Sequence, residues 1–229
     1  MRWTRFAAFL FAAAATSAGA GAQQSPAPHF RVVLDAAHGG PESGTRISDR
    51  MLEKDLVLSL SVRLRSTLAA HGIDVVTTRE SDAALSLAER AAAANHAPAS
   101  ACLLLHATAS GTGVHLYTSS LAPTVVQAGL HPWSAAQSPY ITQSLRLSSE
   151  ISSAMGHSAI PVALGRTSLA PMDSLACPAV AVEVAPLAEH RGERGLLLSD
   201  PVYQARLVDA LTGAIEQWRA DWTDTTGQR

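Results

Sequence analysis

The chain alternates between short apolar runs rich in β-branched residues and longer stretches whose apolar residues recur every third or fourth position. Phe30-Arg31-Val32-Val33-Leu34-Asp35 reads as a buried strand that ends in the turn-prone His38-Gly39-Gly40-Pro41. A loop to about Leu52 follows. Leu56, Leu60, Leu64 and Leu68, with Val57 beside them, make the apolar stripe of a helix from about Glu53 to Ala70, stopped by Gly72. Ile73 to Thr78 is a second strand. Ser86-Leu87-Ala88-Glu89 fits a capping box and opens a helix to about His96. Ala101 to His106 and Val114 to Tyr117 are further strands. The stretch Ser119 to Pro139 is irregular, and a helix from about Tyr140 to Met155 follows it. Val162 to Leu169 is a short strand or an irregular run, and Val180 to Val184 is a firm strand. Asp200 caps a last helix with Pro201 at its first position and Val208, Leu211, Ile215 and Trp218 on its apolar face. Strands alternate with helices, so the pattern predicts a single α/β domain with a mainly parallel, twisted sheet of about six strands and helices on both faces.

Composition agrees. Of 229 residues 47% are hydrophobic but only 5% aromatic, which favours helices packed on a sheet over an all-β sandwich. The formal charge is −2 with no basic stripe, so nucleic acid is not an expected partner. Arg2 and Arg5 precede an apolar run from Phe6 to Ala15, and Ala20-Gly21-Ala22 reads as a cleavage site. Residues 1–22 are therefore expected to be a signal peptide and 23–29 a linker. Residues 30–222 form the domain and 223–229 a flexible C-terminal tail. The mature protein is expected to be exported, to a periplasm or beyond the cell, and to be a monomer. Cys102 and Cys177 both lie in apolar stretches. An exported pair could bond, but the contexts favour buried free thiols.

Chemistry gathers where strands end. The first strand leads to His38, the third closes on His106, and the late strand carries Glu183 inside Val-Ala-Val-Glu-Val. Ligands of open α/β sheets bind beyond the carboxyl ends of the strands. Two imidazoles and a carboxylate at that edge suit a metal hydrolase, and Glu53, at the first turn of the helix after the first strand, can join them. The competing readings are ordinary ones: a helix-start charge for Glu53 and a strand-end carboxylate paired with an Arg for Glu183. H-E-x-x-H and G-x-S-x-G are absent.

Val32-Val33-Leu34-Asp35-Ala36-Ala37-His38-Gly39-Gly40 resembles the opening motif of the bacterial zinc-dependent N-acetylmuramoyl-L-alanine amidases of cell division and sporulation. Glu53-Lys54-Asp55-Leu56, Thr78-Arg79-Glu80-Ser81-Asp82, Leu85-Ser86-Leu87-Ala88-Glu89-Arg90 with Asn95, and Leu104-Leu105-His106-Ala107 resemble the segments that follow. Gly113-Val114-His115-Leu116-Tyr117 and Pro178-Ala179-Val180-Ala181-Val182-Glu183-Val184 complete the series, in the family's order, from about Arg31 to Trp218. The resemblance implies one Zn²⁺ held by His38, Glu53 and His106, with Glu183 as the catalytic proton carrier. It also implies peptidoglycan as substrate, cut between N-acetylmuramic acid and L-alanine. A protein activator is possible and unidentified. Three protein ligands leave a zinc position open for water, and Asp35 or Glu42 could orient an imidazole, although a solvated loop charge is the favoured reading of both.

The chain departs from the family pattern at Ala37 (usually Gly), Glu42 (usually Asp), Thr108 (usually Asn) and Ala185-Pro186-Leu187-Ala188. None removes an implied ligand. A long helix blocks the site in some relatives. Ser119 to Pro139 is too short and Pro-rich for one, so no built-in plug is expected. Two other functions fit the same residues: a non-catalytic wall-binding relative, and a zinc peptidase or deacylase acting on another exported amide.

Overall fold

A computed structural model describes residues 29–124, 132–189 and 194–227. In chain order the elements are β1 (Arg31–Ala36), β2 (Arg46–Ser48), β3 (Met51–Leu52), α1 (Glu53–Ala70), β4 (Asp74–Thr77), α2 (Leu87–His96), β5 (Ala101–Ala107), β6 (Val114–Ser119), α3 (Ile141–His157), β7 (Val162–Thr167), β8 (Ala179–Val184) and α4 (Pro201–Gly227). Among the described residues, six strands form one sheet in the order β4-β1-β5-β8-β6-β7. β4, β1, β5 and β8 run parallel, β6 is antiparallel to β8, and β7 runs parallel with β6. The expected α/β domain is the observed one.

The two faces of the sheet are unequal. Val32, Leu34, Leu103, Leu105, Val180 and Val182 meet a thick layer of large side chains from α1, α3 and α4, including Leu60, Leu64, Leu147, Ile151, Tyr203 and Leu211. The opposite face offers Val33, Leu104, Ala179 and Ala181 to the short α2, through Ala91 and Ala94, and to the turn that contains Met172 and Leu175. Strands buried on both faces read as continuous apolar runs, as in Ala101 to Leu105. The thinner layer leaves part of the β8–β6 face open.

Local signals act as their chemistry predicts. Ser86 Oγ accepts from Glu89 N while the Glu89 side chain accepts from Ser86 N, a complete capping box. Asp200 Oδ1 accepts from Val202 N at 2.8 Å and caps α4.

Three expectations are corrected. Cys102 and Cys177 are not free thiols; they form a disulfide with their Cα atoms 6.2 Å apart. Cys177 lies two residues before the start of β8, and Cys102 N donates to Pro178 O at 2.8 Å, so the pairing of β5 with β8 delivers the two side chains to one another. The loop before Leu52 contains the antiparallel ribbon β2–β3. The helix beginning at Pro201 continues to Gly227, past the start expected for a C-terminal tail at 223. Trp222 packs edge-on against Phe30, with ring centroids 6.5 Å apart, which carries the apolar pattern one turn beyond Trp218. The expected signal peptide, and residues 23–28 of the expected linker, lie outside the described residues. Part of the irregular Ser119 to Pro139 stretch does too. Its described end forms 3₁₀ turns at Trp133–Ala135 and Ser138–Tyr140. Among the described residues, no helix is long and apolar enough to cross a membrane.

Candidate metal centre and cleft

His38 sits just beyond β1 with a φ of 60°, in the left-handed region that side chains rarely adopt. A cage of donors holds it there. Arg79 donates to the carbonyl oxygens of Ala36 (2.8 Å), Ala37 (2.9 Å) and Lys54 (2.8 Å). Arg90 donates to those of Ala36 (2.8 Å) and His38 (2.5 Å) and to Asp35 Oδ1 (2.8 Å). Both guanidinium groups are buried, and between them they satisfy the carbonyl oxygens of Ala36, Ala37 and His38 in the turn and tie it to the start of α1 at Lys54. Gly39 follows at a φ of +135°, where a Cβ would lie 2.3 Å from Ala83 O. Ala37 is buried and has no left-handed φ, so the methyl that replaces the usual glycine fits its place in the turn.

Glu53 opens α1 and is 3% exposed. Its Oε1 lies 3.2 Å from His38 Nε2 and 3.1 Å from His106 Nδ1, and also accepts from Ala107 N at 3.1 Å. Its Oε2 accepts from Thr45 N at 2.8 Å, a donor presented at the start of the β2–β3 ribbon. Burial by itself pushes this carboxyl up. The hydrogen bonds from His106, Thr45 N and Ala107 N, with His38 close by, outweigh it and hold the pKa at about 2. Glu53 is therefore a carboxylate at any physiological pH.

The structure thus brings His38, Glu53 and His106 together, with one donor atom of each within 4.8 Å of the others. A tetrahedral ion with bonds of about 2.0–2.1 Å separates its ligand atoms by about 3.4 Å. The contacts on Glu53 Oε1 come within a few tenths of an ångström of that spacing, and two imidazoles with one carboxylate are a donor set that zinc accepts. His38 Nδ1, on the far side of its ring from Glu53, lies 3.0 Å from Glu42 Oε1. Glu42 therefore orients an imidazole instead of being only a solvated loop charge. Asp35 does neither: it is buried and takes hydrogen bonds from Arg90 and Thr78.

Glu183 is set by sheet register. It pairs with His106 of β5 on one side and with His115 of β6 on the other. Register partners project to the same face of a pleated sheet, so the three side chains form a row. Beside them lies a cleft of about 280 Å³ lined by His106, Tyr117, Thr167, Leu169, Ala181 and Glu183. His115 Nδ1 is 2.7 Å from Glu183 Oε2.

The sequence of the whole domain matches the family described as N-acetylmuramoyl-L-alanine amidase, over residues 32–217. The chain belongs to that family. Among curated amidases, the germination-specific N-acetylmuramoyl-L-alanine amidase of Bacillus subtilis is 43% identical over 51 residues, which is 22% of this chain and 21% of that protein. N-acetylmuramoyl-L-alanine amidase AmiA of Escherichia coli is 37% identical over 76 residues, 33% of this chain and 26% of that protein. The chain thus spans about a quarter or less of these curated relatives in the matched regions. Solved amidase folds are similar over far more. Ami1 of Mycobacterium smegmatis superposes with a TM-score of 0.65 at 22% identity, covering 84% of this chain and 97% of that one. The catalytic domain of CwlV from Bacillus (Paenibacillus) polymyxa gives 0.63 at 21% identity, covering 83% and 98%.

Sequence reasoning assigned no role to His115. The rule that chemistry gathers at carboxyl strand ends points away from it, because His115 stands near the start of β6. Only the reversed direction of β6 beside β8 carries that start to the functional edge. A polar histidine within the otherwise apolar Val114 to Leu116 was the available signal.

Proposed function

We propose that this amidase hydrolyses the amide between N-acetylmuramic acid and the L-alanine of the stem peptide in peptidoglycan, using one zinc ion held by His38, Glu53 and His106. The observation that carries the proposal is the convergence of those donor atoms on one point, in a chain of this family, at the edge of a cleft that Glu183 also lines.

Zinc bound there would supply Lewis acidity, polarising the scissile carbonyl and easing ionisation of the attacking water. The rest falls to the chain. His38, fixed by Glu42 on one nitrogen, offers the other to the ion. Glu53, ionised and locked by two backbone donors, adds negative charge without rotating away. Glu183 accepts the proton released by water at its carboxylate and delivers it to the departing alanine nitrogen. The cleft is apolar at Leu169 and Ala181 and polar at Thr167, a lining suited to a short peptide beside a sugar. We place the enzyme outside the cytoplasm, where a disulfide between Cys102 and Cys177 persists. One relative of similar fold, the CwlD amidase of Clostridioides difficile, is known in complex with the GerS lipoprotein; assays of this chain alone establish whether it needs an activator.

Two variants test the assignment. Glu183→Ala is expected to keep zinc and lose stem-peptide release. His38→Ala is expected to lose the metal itself. Full activity in Glu183→Ala contradicts the proton-transfer role, and full zinc in His38→Ala contradicts the ligand set.

A further inference from the structure

We infer that His115 is a positioning residue for this reaction: it holds the Glu183 carboxylate in the orientation from which it exchanges protons with water and the leaving nitrogen. The inference rests on Glu183 being the proton carrier.

Glu183 has little else to fix it. It lies at the mouth of an open cleft with its side chain 30% exposed, and among the described residues its one side-chain partner is the imidazole of His115. A free glutamate at a strand end has three rotatable bonds, and aligning it for proton transfer costs side-chain entropy each time. The His115 Nδ1 contact at 2.7 Å removes that freedom. An ionised carboxylate only accepts, so Nδ1 carries the hydrogen and donates to Oε2. Oε1 carries no hydrogen bond from a described residue and is left for the reacting proton.

The imidazole is itself held. β6 is hydrogen-bonded on both edges, by β8 and β7, so the backbone beneath His115 is fixed. The 108–113 loop closes in on the Cε1–Nε2 edge of the ring, at Gly111. A Cβ at Gly111 would stand 2.7 Å from His115 Cε1 and 2.9 Å from Nε2, and its φ of +82° is one that glycine adopts freely. Thr108 shapes this loop by accepting from Ser110 N at 3.2 Å. Loop, imidazole and carboxylate are therefore packed in series, with the carboxylate last and facing the cleft.

The test compares His115→Phe, which keeps a flat ring without the donor, with His115→Asn, whose side-chain amide nitrogen can take the place of Nδ1. Each purified protein is assayed for zinc content, melting temperature, kcat and KM on a muramoyl-peptide, beside Glu183→Ala. His115→Phe is expected to keep zinc, melting temperature and KM while kcat falls about tenfold or more. His115→Asn is expected to recover most of the loss. If His115→Phe does not fold, His115→Ala takes its place in the same comparison. A wild-type kcat in the donor-free variant overturns the inference. So does a loss of kcat that Asn does not restore, or one that only follows loss of zinc. Full activity in Glu183→Ala would instead defeat the reading beneath it, whatever the His115 variants do.

Discussion

Arg90 donates to the carbonyl oxygen of His38, and His38 occupies the left-handed backbone region at a φ of 60°. The same guanidinium pairs with Asp35, which is buried at the end of β1. Arg90→Met removes both interactions and leaves buried Asp35 with Thr78 as its one remaining side-chain donor among the described residues. Breaking a buried ion pair by removing one partner costs about 3–5 kcal/mol, so urea denaturation of the metal-free protein should register a loss of that order. Zinc binding should weaken as well, because the turn that presents His38 loosens. In the Asp35→Asn/Arg90→Met double variant the loss should be smaller than the sum of the two single losses.

Glu42 reaches the nitrogen of His38 that faces away from Glu53. Orienting partners of ligand imidazoles typically affect metal affinity by about 10–100-fold. Glu42→Ala should weaken zinc binding within that range, read by competition with a chelator of known affinity, and leave folding stability almost unchanged because the side chain is exposed. An unaltered affinity would return Glu42 to the status of a solvated charge.

The disulfide closes a loop with a sequence separation of 75 residues. Chain-entropy reasoning assigns such a crosslink about 4 kcal/mol, acting on the unfolded state. Cys102→Ala/Cys177→Ala should lower stability by up to that amount under non-reducing conditions while retaining zinc, because neither sulfur belongs to the His38–Glu53–His106 cluster.

The Glu53 carboxyl has a folded-state pKa of about 2 against an ordinary 4.5. A depressed carboxyl stabilises the fold above its unfolded pKa, and that stability is lost as pH falls through the folded value. The metal-free protein should therefore lose stability between about pH 4.5 and 2, with up to about 3 kcal/mol traceable to Glu53. Glu53→Gln should flatten that part of the curve, as measured by denaturant midpoints across the range. An equally steep curve in the variant would mean that the carboxylate is not held by the bonds described.

Much of the fold is readable because apolar periodicity and capping chemistry agree. The leucine stripe marks α1, Ser86 and Glu89 mark α2, and the unbroken run before His106 marks a strand buried on both faces. His38, His106 and Glu183 draw attention because strands deliver their carboxyl ends to one edge, but the full set with Glu53 at the start of α1, and the roles of its members, came from the resemblance to the amidase family. What remained hidden depends on contacts between distant segments. The Cys102–Cys177 bond requires knowing that β5 neighbours β8. The role of His115 requires knowing that β6 runs backwards beside β8. The β2–β3 ribbon is too short and exposed to leave an alternating pattern, yet it supplies the Thr45 donor to Glu53. Arg79 and Arg90 read as ordinary charges until the turn they bridge has folded around them.

The most direct test is to titrate zinc into the metal-free protein while digesting purified sacculi and weighing the products by mass spectrometry. The account predicts that activity saturates at one zinc per chain and that each released stem peptide begins with the free amino group of L-alanine. Release without metal, or a fully loaded protein that frees no stem peptide or cuts a different bond, would contradict it.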